Sequence, residues 1–347
     1  MPRLEVTPVR LALRQPVVAA WGVLRERLVL RVRLEWDAGD FGVGEAAPLE
    51  PYDGVPLAAV AAALQAYGSV LAAADAGAGH DALLAACAAE RPLAQALAAI
   101  DLALWDRAGR RAGRSVASLL APGAATSVAV NATLGAEDRA GAAAEAPAAA
   151  RAGFGCVKLK VGIGDDPGRV AAVRAALGPA IAIRVDANGA WSSVDEALAH
   201  LIALAPAGLE YAEEPLGGIE ELRALQAVSP VPLAMDETAA EPGAAGSGAT
   251  EAVCLKIARC GGITGVLRDA EAARAAGSAV YVASTFDGPL GVAAGVHVAA
   301  ALAASGPVAH CGLATLGSFS GFEGVLAPRA GCIAVPLGPG LLGAQAP

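Results

Sequence analysis

VKLKV, at Val157–Val161, sets the fold when read with four later segments of the same kind: RVDAN (Arg184–Asn188), YAEEP (Tyr211–Pro215), AMDET (Ala234–Thr238) and CLKIA (Cys254–Ala258). Each is a short apolar run that ends in charged or strongly polar residues. Side chains of a strand alternate between its faces, so Lys158 and Lys160 share one face. Extending the pattern gives eight strands: Ser127–Asn131, Cys156–Val161, Ile181–Asp186, Leu209–Glu213, Pro232–Asp236, Ala252–Ile257, Ala279–Ser284 and Val308–Cys311. Ala-rich helical stretches separate them. Short buried strands alternating with helices predict an α/β fold, here a (β/α)7β TIM-like barrel over residues 123–325.

The preceding texture differs. Arg3–Arg14 and Arg27–Trp36 alternate apolar with polar residues, and Phe41–Ala47 follows a Gly-Asp turn. Helical patterns follow, including Pro92–Arg114, which has Pro near its start and basic residues with Gly at its end. This predicts an N-terminal α+β capping domain, residues 1–122, completed by the Gly/Pro-rich segment 326–347.

Composition narrows the function classes. The 347 residues are 55% apolar and only 4% aromatic, because Ala supplies most of the apolar content. The longest apolar stretch, Leu290–Ala304, falls short of the roughly 20 residues a spanning helix needs, so it reads as a packed helix and no membrane partner is expected. The N-terminus has no basic-then-apolar signal pattern, and the six cysteines form no CxxC pair, which fits a reducing, cytoplasmic setting. A net charge of −9 without a basic cluster argues against nucleic acid. A doubly wound nucleotide-binding sheet is disfavoured too. Its only glycine-loop lookalike, Val161–Gly164, runs into Asp165 and Asp166, which would repel a pyrophosphate. GSFSG (Gly317–Gly321) has Phe319 where a nucleophilic Ser would stand.

Reactive groups of such barrels gather at the C-terminal ends of strands. Asp186, Glu213 and Asp236 are thereby expected in one cavity, where they would repel one another unless a cation lay between them. Their hard oxygens suit Mg²⁺, or Mn²⁺, better than zinc. A divalent ion on a substrate carboxylate stabilises the dianion formed when the adjacent carbon loses a proton. Lys160, its pKa lowered by Lys158 and the metal, is expected as the base, with Lys256 on the flanking strand. Lys or His bases with Mg²⁺ are the pattern already described for enolase-superfamily sites.

VKLK, RVDANGAW, EYAEEPL, AMDET and CLKIARCGG occur in the order and spacing of the muconate-lactonizing subgroup of the enolase superfamily, which the chain resembles over nearly its whole length. GVGEAAPLEPYDG (Gly42–Gly54) resembles the cap loop that closes over substrate, and AIDLALWDRAGRRAGR (Ala99–Arg114) the helix that joins the domains. The resemblance implies Lys160 as base with Lys158 as its partner, Lys256 on the opposite face, and Asp186, Glu213 and Asp236 as metal ligands. Within the subgroup, three features resemble o-succinylbenzoate synthases, enzymes of menaquinone biosynthesis: Arg184 two before the metal Asp, the turn VASTFDG and the element CGLATLGSF.

The resemblance also makes Arg184, Asn188, Ser284, Asp287 and Gly312 candidate substrate contacts. Specificity is expected from cap loops near Val17–Leu24 and Leu49–Asp53. Dipeptide epimerases of the subgroup carry an Asp-x-Asp element in the eighth loop, which Gly312–Phe319 lacks, although Asp287 could hold an amine. An N-acylamino acid racemase or a muconate-type cycloisomerase would instead set Lys160 and Lys256 to work on opposite faces of the substrate. A catalytically silent barrel would have lost a lysine or a ligand, and this chain keeps them all. His310 alone of the four histidines is placed near the rim, as a core or substrate-contact residue. The expected partner is a small carboxylate, and barrels of this type often form homo-oligomers.

Overall fold

A computed structural model describes residues 2–19, 22–37, 39–75, 77–135 and 138–343. The expected cap loop Val17–Leu24 includes Ala20 and Trp21, and the expected C-terminal segment ends in residues 344–347; these positions lie outside the described residues.

Three antiparallel strands open the chain in the order β1 (Arg3–Ala19), β2 (Gly22–Asp37), β3 (Asp40–Ala46). The register pairs Leu4 with Leu34 and Val6 with Val32, which sets one apolar face against the helices Leu57–Ala73, His80–Glu90 and Ala94–Ala112. Gly42 and Gly44 let β3 lie directly on the last of these, since a Cβ there would stand 1.8 Å from Ala103 O and 2.0 Å from Ala99 O. Gly113, left-handed at φ 63°, ends that helix, a conformation that costs Gly little.

Next comes β4 (Ser127–Ala129), followed by a curled seven-stranded parallel sheet: β5 (Ala132–Leu134), β6 (Cys156–Lys160), β7 (Ala182–Asp186), β8 (Tyr211–Glu213), β9 (Leu233–Met235), β10 (Ala252–Leu255) and β11 (Ala279–Val282). Segment 309–312 closes the barrel. Ala309 N and Gly312 N donate to Val280 O and Val282 O, while Asn131 N donates to Cys311 O on the other side. Helices follow every strand from β5 to β11 except β9, where two 3₁₀ turns, Thr238–Ala240 and Ala244–Gly246, replace one.

The expected strand Ser127–Asn131 joins the barrel only at its end: Val130 forms a parallel bridge with Cys311, and Cys311 N donates to Ala129 O, while β4 pairs antiparallel with β12 (Cys332–Ala334) and the sheet itself begins with β5. The run SVAVNATL alternates without interruption, so nothing in its pattern marks the change of partner at Asn131.

Outward residues of the barrel strands, such as Val157, Leu159, Ile183 and Val185, pack with Val170, Val173 and Ala197 of the surrounding helices. Burying side chains of this size contributes about 1.5–3 kcal/mol each. Leu290–Ala304, expected as a packed helix, is the buried helix Pro289–Ala303 with Ala304 as its C-cap. No helix among the described residues is long and apolar enough to cross a membrane.

Two buried polar residues tie the parts together. Asp106 accepts from Val43 N at 3.0 Å and Leu341 N at 2.8 Å, and also pairs with Arg110. His297 accepts from Ala117 N at Nδ1 and donates from Nε2 to Leu341 O.

Candidate active site

The parallel register of β6, β7 and β8 puts Lys160 beside Asp186 and Asp186 beside Glu213. Asp236 follows β9 and Lys256 follows β10. All three carboxylates are buried. The Lys158 ammonium lies 2.8 Å from Asp186 Oδ2 and 2.7 Å from Glu213 Oε1, so the two carboxylates face each other across it. Glu213 and Asp236 present oxygens within 4.8 Å of one another, with the Cys254 thiol beside them. Lys160 donates to Asp186 and, at 2.6 Å, to Asn188 Oδ1; Lys256 donates to both oxygens of Asp236.

The backbone around these groups is pinned. Asn188 adopts φ 47°, a left-handed conformation that Asn tolerates, and this turns its N–H onto Asp186 Oδ1 at 3.0 Å. Glu214 points away from Glu213 and accepts from the N–H groups of Asp236 (2.6 Å) and Thr238 (2.9 Å), fixing the turn that carries Asp236. Behind Lys160, Arg169 donates to its carbonyl at 3.0 Å and pairs with Asp166, which accepts from Gly162 N.

The electrostatics follow from burial against pairing. Burial alone would raise Asp186, but Lys158 and Lys160 outweigh it and hold the carboxyl at about 2. Asp236 is likewise depressed, burial being overcome by Lys256 and Lys158. Glu213 is raised, because burial and the two neighbouring carboxylates exceed the pull of Lys158. Lys158, expected as the partner that backs Lys160, has a raised pKa: burial lowers it, and the Asp186, Glu213 and Asp236 carboxylates more than compensate. Lys256 is raised on the same grounds, Asp236 first. Both therefore remain ammonium ions near neutral pH.

Lys158, Lys160, Asp186, Asn188, Asp236 and Lys256 line a cavity of about 790 Å³, to which the cap adds Leu49 and Tyr52. Ser284 and Gly312 line it as well. Two other expected contacts do not. Arg184 shares the inward face of β7 with Asp186 but lies one layer deeper, where it donates to Glu210 at 2.6 Å and His310 O at 2.6 Å between Tyr211 and Tyr281. A two-residue step along a strand is about 6.6 Å, enough to take its side chain out of the cavity. Asp287 is buried against Thr285 Oγ1 and Ser284 Oγ, near Arg27, rather than facing the cavity. His310 is half-buried beside Arg184 and outside the cavity wall.

The residue types alone did not single out Tyr52 or Tyr281. Tyr52 donates to Asp236 Oδ1 and accepts from Lys256, each at 2.9 Å. Tyr281 donates to Glu213 Oε2 at 2.9 Å. The one available signal for Tyr281 was its strand position, two before Ala283 and thus on the inward face.

In kind the donors suit a hard divalent cation, being carboxylates each compensated by an ammonium, but only in part in placement: Glu213 and Asp236 come within 4.8 Å of one another, Asp186 does not join both within that distance, and Glu213 is not among the residues lining the cavity. A lysine stands at each end of the set, Lys160 on Asp186 and Lys256 on Asp236.

Comparison with known proteins shows the family. Residues 2–121 match the family described as mandelate racemase / muconate lactonizing enzyme, N-terminal domain, and residues 141–344 match that described as enolase C-terminal domain-like. The o-succinylbenzoate synthase of Thermobifida fusca is 40% identical over 176 residues, covering 48% of this chain and 54% of that protein. Muconate cycloisomerase 1 of Rhodococcus opacus is 34% identical over 217 residues, 59% of this chain and 58% of that one. The chain thus spans a little over half the length of these curated relatives. The crystal structure of N-succinyl Arg/Lys racemase from Bacillus cereus superposes with a TM-score of 0.90 at 25% identity, covering 98% of this chain and 94% of that one. The chain belongs to the mandelate racemase / muconate lactonizing enzyme family of the enolase superfamily.

Proposed function

We propose that this enolase-superfamily enzyme is a divalent-cation-dependent lyase that acts as an o-succinylbenzoate synthase. It would dehydrate 2-succinyl-6-hydroxy-2,4-cyclohexadiene-1-carboxylate. The observation that carries the reading is that Lys160 and Lys256 both line the cavity, the first paired with Asp186 and the second with Asp236. Asp186, Glu213 and Asp236 would hold Mg²⁺ (or Mn²⁺), which when bound draws charge from the substrate carboxylate and makes the adjacent carbon more acidic.

The Lys160 amine takes the proton from C1, and the C–H electron pair passes into the carboxylate as an enediolate. Collapse of that charge forms the C1–C6 double bond and breaks the C6–O bond. Lys160, now an ammonium on the same face, returns its proton to the leaving hydroxide, giving water and an aromatic ring. The Lys256 ammonium stabilises the enediolate from the other side.

Dehydration is favoured over epimerisation by the rim after the eighth strand. Gly312, Ala314, Thr315, Gly317 and Ser318 line the cavity there with no carboxylate to receive a substrate amine, and Asp287 is turned away. A racemase of N-acyl amino acids is the second reading, favoured by the whole-chain likeness to the succinyl amino acid racemase. The Mg²⁺-loaded protein separates the two. Ultraviolet absorbance of an aromatic product from the cyclohexadiene supports the synthase. Deuterium uptake at the α-carbon of N-succinyl amino acids in D₂O, without that absorbance, replaces it with the racemase.

A further inference from the structure

The cavity is much larger than one carboxylate and its neighbouring carbon require, and the lining that the cap supplies is chemically uneven. Among the described residues the cap contributes Arg14, Gln15, Pro16, Val17, Leu49 and Tyr52, and Arg14 is the one charged side chain of the six.

The position of Arg14 is built by the fold. The β1–β2 ladder breaks register between Ala12 and Val17, which frees the intervening residues to leave the sheet toward the barrel. Leu13 forms an antiparallel bridge with the buried Phe319, and Ser320 N donates to Ala12 O at 3.0 Å. Arg14 Nε donates to Phe319 O, also at 3.0 Å, so the guanidinium is tethered to the rim after the eighth strand. Nη2 pairs with Glu323, whose side chain is 63% exposed, and Nη1 has no hydrogen bond among the described residues. An ion pair so open to water is weak and yields readily to a competing anion. Glu145 of the helix Arg139–Arg151, another carboxylate lining the cavity, accepts from Gly135 N at 2.8 Å.

We propose that Arg14 binds a second, distal carboxylate of the substrate, so that the enzyme selects dicarboxylates anchored at the floor by one acid group and at the cap by the other. This rests on the reading above and names the substrate class: carboxylates that bear a succinyl arm. A planar guanidinium matches a carboxylate in two parallel hydrogen bonds, a geometry that Lys does not offer. Pro16, Val17 and Leu49 give the arm between the two acid groups an apolar surface.

Calorimetric titration of the Mg²⁺-loaded full chain tests this with two matched pairs of probes: o-succinylbenzoate against 2-butanoylbenzoate, and N-succinyl-L-phenylalanine against N-butanoyl-L-phenylalanine. Each pair differs only in the distal carboxylate. The expected result is about a tenfold or greater preference for the dicarboxylate of at least one pair, falling to less than about threefold in Arg14→Gln. An unchanged preference in Arg14→Gln, or no preference in the unsubstituted protein, overturns the proposal. Should Arg14→Gln bind neither member of a pair, Glu323→Gln decides. Removing the competing acid should enlarge the dicarboxylate preference, and a preference left unchanged overturns the proposal. An Arg14-dependent preference confined to the N-succinyl pair keeps Arg14 in its role and sinks only the synthase reading.

Discussion

The Tyr52 hydroxyl lies 2.9 Å from Asp236 Oδ1, a contact between residues 184 apart in sequence that fastens the cap loop to the barrel rim. The same oxygen accepts from Lys256 at 2.9 Å. Burial first, then Asp236, keeps the phenol well above its ordinary pKa, so it stays protonated and donates. Tyr52→Phe removes a hydrogen bond to a charged group, an interaction of about 1.5–3 kcal/mol. Steady-state kinetics should show kcat/KM lowered by about 10- to 100-fold. Unaltered kinetics would make Tyr52 a bystander.

Lys160 stands between Asp186 and Asn188 with its carbonyl clamped by Arg169. Lys160→Ala should reduce turnover by about 10²–10⁴-fold, the scale for a positioned acid/base. A variant that turns over at the rate of the unsubstituted enzyme would remove Lys160 from the mechanism.

Glu214 holds the Asp236 turn through two backbone N–H groups and the Thr238 hydroxyl. Glu214→Gln would set an amide NH₂ against one of those N–H donors. Groups that orient metal ligands typically govern affinity by about 10- to 100-fold. Calorimetric titration with Mn²⁺ should therefore show weakening on that scale. Equal affinity would mean that the turn holds without Glu214.

The legible parts of the sequence were those set by period. Lys158 and Lys160 share a face because strands alternate, and the polar strand ends marked Asp186, Glu213, Asp236 and Lys256. Depth along a strand was not legible. Arg184 and Asp186 carry the same inward signature, yet only Asp186 reaches the cavity. Partner choice was equally hidden, since the alternation of Ser127–Leu134 does not show that β4 pairs with β12, Val130 with Cys311 and β5 with β6. The cap contacts of Tyr52 and Arg14 come from tertiary placement, which local pattern does not encode.

His297 is fully buried, and burial pushes its imidazole down to about 4. The unfolded chain, with an ordinary value near 6.5, binds a proton through pH 6.5–4 that the folded chain refuses. Stability is therefore full above about pH 6.5 and is lost as pH falls toward 4, by about 3 kcal/mol from this residue. Denaturant melts across this window should show a shallower pH dependence in His297→Gln than in the parent. Parallel curves would mean that His297 does not titrate on unfolding.

A crystal soaked in Mn²⁺ and measured for anomalous scattering tests the metal centre most directly. The predicted result is one strong peak within about 2.0–2.5 Å of an oxygen from each of Asp186, Glu213 and Asp236, with the lysine ammoniums moved aside. No peak there, or one bound by other residues, would contradict the account.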